Sequence, residues 1–332
     1  MSSTPASRPL LWPLVPLYRL GLALRELQLL IGLKRVHRLR WPVVSIGNLS
    51  TGGAGKTPLT IALARALTAR GLHVDVLSRG YGRRRSAIPL VVNPGGTIED
   101  FGDEPLLIVR EVQVPFYVAG ERYEAGLLAE RDAAEQSGVH LLDDGFQHRQ
   151  LARDVDILLF SRRDIADHLL PAGNLREPIR ALRRAAIIAI PADEPEVETE
   201  LRSMGWQGTV WRLRRRMEIP HLDGPVAAFC GIARPDQFFK GLERAGVKLA
   251  VRTAFADHYR YTAQDLERLA AEARDAGATS LLTTEKDRVR IGALEVALPL
   301  QAAQLRVEIQ DEDAAIDWLM GELEENSGAK AL

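Results

Sequence analysis

A chain of 332 residues, 46% hydrophobic and 26% charged, can bury a substantial core and is long enough for two domains. Its formal net charge of −1 gives no global attraction to nucleic acid, so local clusters of arginine and lysine must hold any anionic partner. Cys230 is the only cysteine, which excludes an internal disulfide and a cysteine-based zinc site and points to a reducing, cytosol-facing compartment.

The first forty residues differ in character from the rest. Leu10 to Leu33 is leucine-rich, carries Trp12 and Tyr18, and runs into Lys34, Arg35, His37, Arg38 and Arg40. A bilayer-spanning helix needs about 20 predominantly apolar residues, yet Arg19, Arg25 and Glu26 interrupt this run, and Pro13 and Pro16 break its start. Leu17, Leu20, Leu24, Leu27 and Ile31 recur at three- and four-residue intervals, which predicts one apolar helical stripe. That stripe suits a membrane interface, with the basic cluster against anionic headgroups. The competing reading is an amphipathic helix packed on the protein's own core; the aromatic residues and basic flank favour the interface. No small-residue cleavage site follows the run, so a removed signal peptide is not expected.

Next comes an apolar strand, Pro42 to Ile46, which opens into a glycine-rich turn from Gly47 and Asn48 through Ser50, Thr51, Gly52, Gly53, Ala54 and Gly55 to Lys56, Thr57 and Pro58. A helix around Ile61 to Leu67 follows. Glycines let several backbone N–H groups point into one concavity, Lys56 adds a positive charge, and the Thr57 hydroxyl can ligate Mg²⁺. The helix N-terminus faces the same anion. Ser50 stands where the common phosphate-loop pattern has its first glycine, but Gly47, Gly52 and Gly53 surround it. A plain turn before a helix is the alternative, and the order of strand, loop, Lys56 and helix argues against it.

Further strand-like runs at Val74 to Leu77, Phe116 to Ala119, Val139 to Leu142, Val155 to Phe160 and Ala186 to Ile190 alternate with helical patterns, which predicts a parallel sheet covered by helices on both faces. The run ending at Leu142 leads into Asp143-Asp144-Gly145-Phe146-Gln147-His148. Parallel strands share a C-terminal edge, so Asp143 and Asp144 are expected to face the loop before Lys56, where ATP-bound magnesium draws one or two carboxylates from the protein. A turn with a local Asx hydrogen bond is the alternative. Asp103, in Gly102-Asp103-Glu104-Pro105, is either a helix cap or the acceptor of a hydroxyl proton. Glu177 is either a surface charge paired with Arg176 or a contributor to metal binding. Arg79, Tyr81 and Arg83 lie in a basic, glycine-containing segment, Ser78 to Arg85, which suits a second anion or is a solvated loop; Arg122 is a weaker candidate for the same role.

After Pro191 the pattern becomes irregular, and Thr209 to Arg214 is a short alternating stretch before Pro220 and Pro225. The reading divides the chain into an interfacial helix at 1–40, a nucleotide-binding domain at 41–208, a linker at 209–225 and a smaller α/β domain at 226–332. The last contains strands at Val226 to Cys230, Val247 to Thr253, Ser280 to Thr283 and Leu305 to Ile309. Its helices are expected near Asp236 to Ala245, Ala263 to Ala276 and Asp311 to Glu325. His258 belongs to this second half and reaches the site only if the two halves close over it. Thr283-Thr284-Glu285-Lys286-Asp287 ends a strand with polar groups whose spacing assigns no chemistry by itself.

Taken jointly, the phosphate loop, Leu77-Ser78-Arg79-Gly80-Tyr81-Gly82, Gly102-Asp103-Glu104-Pro105, Asp143-Asp144-Gly145-Phe146-Gln147-His148 and Asn174-Leu175-Arg176-Glu177-Pro178 strongly resemble the tetraacyldisaccharide 4'-kinase family of lipid A biosynthesis. Asp257-His258-Tyr259 and the Thr283 to Asp287 segment extend the resemblance, in the family's order, over nearly the whole chain. The resemblance implies a P-loop α/β domain, a smaller α/β domain and a short β linker, with the cleft between the domains. It implies ATP- and Mg²⁺-dependent phosphorylation of a tetraacylated glucosamine disaccharide 1-phosphate, at the cytoplasmic face of the bacterial inner membrane. By the same resemblance Asp103 is the base with His258 as partner, and Asp143, Asp144, Gln147 and Glu177 arrange Mg²⁺ and its waters. Arg79, Tyr81, Arg83, Arg122, Asn174 and Arg176 are expected at the lipid phosphate or sugar. A membrane-recruited ATPase switch is the alternative; it needs neither Asp103 beside an acceptor hydroxyl nor His258. A soluble small-metabolite kinase leaves the apolar stripe without a role.

Overall fold

The computed structural model describes residues 8–52, 55–83, 88–134 and 136–328. Within them a 3₁₀ turn, Pro9–Leu14, leads into helix α1, Val15–Leu30. The strands are β1 Val43–Asn48, β2 His73–Ser78, β3 Leu90–Val91, β4 Phe116–Val118, β5 Gly138–Asp143, β6 Val155–Leu159, β7 Ile187–Pro191, β8 Thr209–Glu218, β9 Val226–Cys230, β10 Leu249–Ala254, β11 Ser280–Thr284 and β12 Leu300–Ile309. The first half also holds helices α2 Lys56–Ala69, α3 Ile98–Phe101, α4 Asp103–Glu111, α5 Arg122–Asp132, α6 Arg162–Ile165 and α7 Glu196–Ser203. Helices α8 Pro235–Arg244, α9 Ala263–Asp275, α10 Glu285–Ile291 and α11 Glu312–Gly328 follow.

Among the described residues the strands form one sheet in the order β10-β9-β11-β12-β8-β7-β6-β1-β5-β2-β4-β3. β1 sits between β5 and β6, and all six of its residues are buried, which is why it reads as a continuous apolar run rather than an alternating one. Its register sets Ile46 opposite Asp143, so the phosphate loop and the paired aspartates leave adjoining strand ends.

Two pairings are antiparallel, β3 with β4 and β8 with β12, so the sheet is mixed where a parallel one was expected. Strand β8 runs beyond the predicted Arg214 because it has a partner on each side in turn. Residues from Thr209 to Leu213 pair with β7 and those from Leu213 to Glu218 with β12. Likewise β12 begins at Leu300, before the predicted Leu305, because its first residues pair with β11. Helix α4 begins at Asp103, where a helix is expected, whereas α3, α5, α6, α7 and α10 carry no individual expectation from the sequence.

One face of the first half buries Leu59, Leu63 and Leu67 of α2 with Leu106 and Ile108 of α4, and Val307, Ile309, Ile316 and Leu319 from the chain's end join them. The opposite face holds Leu49, Phe146, Leu158, Leu175 and Ile188. There Val15 is buried and Tyr18 and Leu22 pack as partly buried residues, so α1 does dock on the core. The predicted stripe lies on its other side: Leu17 is 67% exposed, and Leu20, Leu24, Leu27 and Ile31 are exposed as well. No helix among the described residues is long and apolar enough to cross a membrane.

Candidate active site

β1 delivers Asn48 to one end of the loop, and α2 starts at Lys56 on the other. Gly52 and Gly55 take φ values of 88° and 95°; Gly53 and Ala54 lie outside the described residues. Lys56 Nζ donates to Asn48 Oδ1 at 3.0 Å and lies 3.6 Å from Asp144 Oδ1. Thr57 is buried in the first turn of α2. Ser50 is buried too, and its carbonyl accepts a 2.6 Å bond from Asn48 Nδ2, so this serine is a built-in part of the turn.

The loop's flank is strapped to a second segment. Thr51 N donates to Asn174 O at 2.8 Å, Arg176 N to Leu49 O at 2.7 Å, and Ser50 bridges Leu175. Asn174 Nδ2 donates to Asp167 Oδ2 at 2.9 Å. Arg176 clamps both oxygens of Asp144 at 2.8 and 2.9 Å and reaches Asn48 Oδ1 at 2.6 Å. The Arg176 side chain and the Asn174 backbone carbonyl therefore engage the phosphate-loop scaffold, while the Asn174 side chain turns to Asp167.

Asp143 and Asp144 occupy opposite electrostatic settings. Asp143 is buried and accepts from Thr60 Oγ1 at 3.3 Å; burial, then the charges of Glu104 and Asp144, push its carboxyl up. Burial alone would raise Asp144 also, but Lys56 and Arg176 hold it well below the usual carboxylate range. Asp144 takes a left-handed φ of 48°, a region Asp tolerates better than most residues. A Cβ on Gly47 would lie 2.4 Å from Phe146 Cβ, so only glycine lets the turn after Asp144 close onto β1. That closure brings Gln147 Nε2 within 3.0 Å of Asn48 O. Gln147 Oε1 and Glu177 Oε1 are buried without a hydrogen-bond partner, while Glu177 Oε2 pairs with Arg184 at 2.7 Å. Glu177 is thus not a surface partner of Arg176.

Asp103 opens α4, and its neighbours come from the second half of the chain. Its Oδ2 lies 3.2 Å from His258 Nδ1 and accepts from Arg290 Nε at 2.8 Å and Nη2 at 2.5 Å. Burial opposes ionisation of Asp103, but His258 and Arg290 outweigh it and hold its carboxyl well below the ordinary value. The bond to Asp103 in turn raises the pKa of His258. Beside them Lys286 Nζ donates to Glu104 Oε1 at 2.5 Å. Helices α2 and α4, opened by Lys56 and Asp103, pack in one core, so the phosphate loop and the Asp103 cluster lie at neighbouring helix N-termini and the space between them is the candidate cleft.

The basic segment borders this cleft. A Cβ on Gly102 would lie 2.5 Å from Tyr81 O, so glycine there permits the close approach. The Tyr81 ring is 69% exposed, with its centroid 5.7 Å from that of His258. Arg79 is exposed, Arg83 partly buried, and residues 84–87 lie outside the described residues. Arg122 is enclosed: burial pushes its guanidinium down to about 10, its Nε has no hydrogen-bond partner, and Nη1 lies 3.5 Å from His148 Nδ1. Burial and four surrounding arginines push His148 down to about 3, so it is neutral at physiological pH.

Four contributors escaped the sequence reading: Asn48, Thr60, Glu104 and Arg290. Asn48 and Glu104 stood inside motifs already singled out. Arg290 carried a faint signal, since it lies one helical turn after Asp287 and bonds it at 3.0 Å.

A phosphate loop at the edge of a mostly parallel sheet, an aspartate pair on the adjoining strand and an Asp–His contact from the other half define a P-loop phosphotransferase. The family model described as LpxK, tetraacyldisaccharide-1-P 4'-kinase, matches residues 7–324. A tetraacyldisaccharide 4'-kinase of Koribacter versatilis is 41% identical over 95% of this chain and 99% of its own; that of Desulfotalea psychrophila is 36% identical over 90% and 92%. A crystal structure of LpxK from Aquifex aeolicus in complex with ATP superposes with a TM-score of 0.74 at 31% identity, covering 94% of this chain and 98% of that one. The chain belongs to the tetraacyldisaccharide-1-phosphate 4'-kinase family, the phosphotransferases of lipid A biosynthesis.

Proposed function

We propose that this chain transfers the γ-phosphoryl group of ATP to the 4'-hydroxyl of a tetraacylated glucosamine disaccharide 1-phosphate lying in a membrane surface. The observation that carries this reading is the Asp103–His258 contact at the start of α4, packed against α2, whose first residue Lys56 is held by Asn48 and Asp144. Phosphoryl transfer needs in-line placement and neutralisation of charge on the moving oxygens. Lys56 and the N-terminus of α2 supply fixed positive charge, and Asn48 and Asp144 hold the Lys56 ammonium in place. Asp103, kept ionised by Arg290, and its partner His258 receive the proton of the sugar hydroxyl.

By donor type the residues suit Mg²⁺: the Thr57 hydroxyl, the Asp143 and Asp144 carboxylates and the unpartnered oxygens of Gln147 and Glu177 are hard oxygens that would hold it, although among the described residues no three carboxylate or histidine groups are gathered as a ready-made cage. Such an ion would supply Lewis-acid neutralisation of phosphate charge. Arg79, Tyr81, Arg83 and Arg122 line the side where the lipid's sugar and 1-phosphate would sit. The exposed leucine stripe of α1 rests on the cytoplasmic face of the inner membrane as a peripheral contact. In domain terms 41–208 binds nucleotide, 209–225 links, and 226–332 closes the cleft, with the end of β12 and α11 returning to the first core.

The test is transfer of labelled γ-phosphate from ATP to a tetraacyldisaccharide 1-phosphate by protein in detergent, with Asp103→Asn alongside. A labelled lipid, lost in the variant, is expected. Clear ATP binding without lipid labelling would leave the ATPase-switch reading instead.

A further inference from the structure

We propose that Tyr18 and Arg25 on the inner face of α1 are positioning residues for phosphoryl transfer, so the helix that carries the apolar stripe also holds the catalytic loops in register. The inference rests on the assignment of Gln147, Arg176 and Lys56 to the site.

Helix α1 has two faces with different partners. Its outer face is the exposed row of leucines. On the inner face, Val15, Tyr18 and Leu22 share a cluster with Leu49, Phe146 and Leu175. Each of those three sits directly beside a site element: Leu49 follows Asn48, Phe146 precedes Gln147, and Leu175 precedes Arg176. The polar contacts go to the same loops. Tyr18 Oη donates to Arg176 O at 2.9 Å, Arg25 Nη2 donates to Gln147 O, and Glu26 pairs with Arg149.

From there the connection to the reacting centre is short. Gln147 Nε2 and Arg176 Nη2 both donate to Asn48, and Asn48 Oδ1 accepts from Lys56. Tyr18 and Arg25 touch no reacting atom; they fix the two backbone carbonyls from which the Gln147 and Arg176 side chains reach inward. A helix serving only as an anchor has no need of either bond. Because a displacement of about an ångström at a reacting group costs about a hundredfold in rate, loosening these carbonyls reaches turnover before it reaches lipid capture.

The experiment compares Tyr18→Phe, which keeps the ring and removes only the hydroxyl, with Arg25→Met and Arg25→Lys in the full chain. Lipid-transfer kinetics on phospholipid vesicles, vesicle sedimentation and ATP affinity are measured for each. Tyr18→Phe is expected to lower kcat roughly threefold to tenfold, the range for one hydrogen bond, and Arg25→Met roughly tenfold to a hundredfold. ATP affinity falls in the same order, KM for the lipid and sedimentation stay unchanged, and Arg25→Lys recovers most of the loss. Unchanged kcat and ATP affinity in both Tyr18→Phe and Arg25→Met would overturn the proposal, as would a loss of turnover that only tracks weaker sedimentation. The unmodified protein is assayed first: its failure to label lipid strikes the kinase reading, whereas the ATP-affinity series decides the positioning role on its own.

Discussion

Replacing Arg290 by Met gives the sharpest test of how the two halves of the cleft are held. The guanidinium is buried and makes four bonds to oxygen, two to Asp103 Oδ2 at 2.8 and 2.5 Å, one to Asp287 Oδ1 at 3.0 Å and one to Gly231 O at 2.6 Å, and its Nη2 also lies 3.1 Å from His258 Nδ1. Methionine fills much of the volume but leaves two buried carboxylates, Asp103 and Asp287, without their positive partner. Removing one partner of a buried ion pair costs about 3–5 kcal/mol, most of it from the charge left behind. With an unfolding entropy of about 2.1 cal/mol/K per residue, that loss lowers the melting temperature of a 332-residue chain by roughly 4–7 °C. Scanning calorimetry with parallel urea unfolding measures it. Asp103→Asn in the same background should recover at least about 1 kcal/mol, because the orphaned charge is then gone. A loss below about 1 kcal/mol for Arg290→Met, or strict additivity in the double variant, would refute the view that Arg290 neutralises Asp103.

Lys56→Ala should lower turnover at least roughly a hundredfold, the scale for one preorganised charge-stabilising donor, and near-normal turnover removes Lys56 from the mechanism. His258 has a folded pKa raised above 6.5 by its bond to Asp103, so its contribution to stability is fully present below about pH 6.5 and is lost as pH rises through the raised value. The melting-temperature gap between the unmodified protein and His258→Ala should therefore be widest in mild acid and narrow toward alkaline pH; a gap that widens with pH contradicts the assignment. Serine at Leu20, Leu24 and Leu27 together should weaken vesicle sedimentation with little change in melting temperature, because all three side chains are exposed. Unchanged sedimentation would detach the stripe from membrane binding.

The parts of the fold legible in the sequence were those with a strong local pattern. Strands β1 and β5 announced themselves as buried apolar runs, and the phosphate loop declared its glycines and Lys56. What the sequence hid were partners at long separation. β8 looked like a six-residue stretch because residues after Arg214 alternate weakly on their own; pairing with β12, some ninety residues later, makes them strand. The site divides in the same way. Lys56, Thr57, Asp143 and Asp144 follow from the order of elements, whereas Arg290 is one arginine among many until the fold sets it against Asp103. Glu177 and Arg176 are sequence neighbours that turn to different carboxylate and guanidinium partners, Arg184 and Asp144, which adjacency alone suggested the other way.

Strands β8 and β12 carry a mechanical consequence. The chain passes between its halves twice, on two strands that are bonded to each other from Leu213 to Glu218 and from Gln304 to Ile309. The two crossings are therefore joined by six residue pairs of antiparallel ladder and do not run as separate loose tethers. The returning strand then delivers Val307, Ile309, Ile316 and Leu319 to the core under the nucleotide loop. A protein cut after residue 225 would lose that apolar wedge, so the nucleotide-binding half is not an autonomous module, and a protease nick in the second half should melt both together.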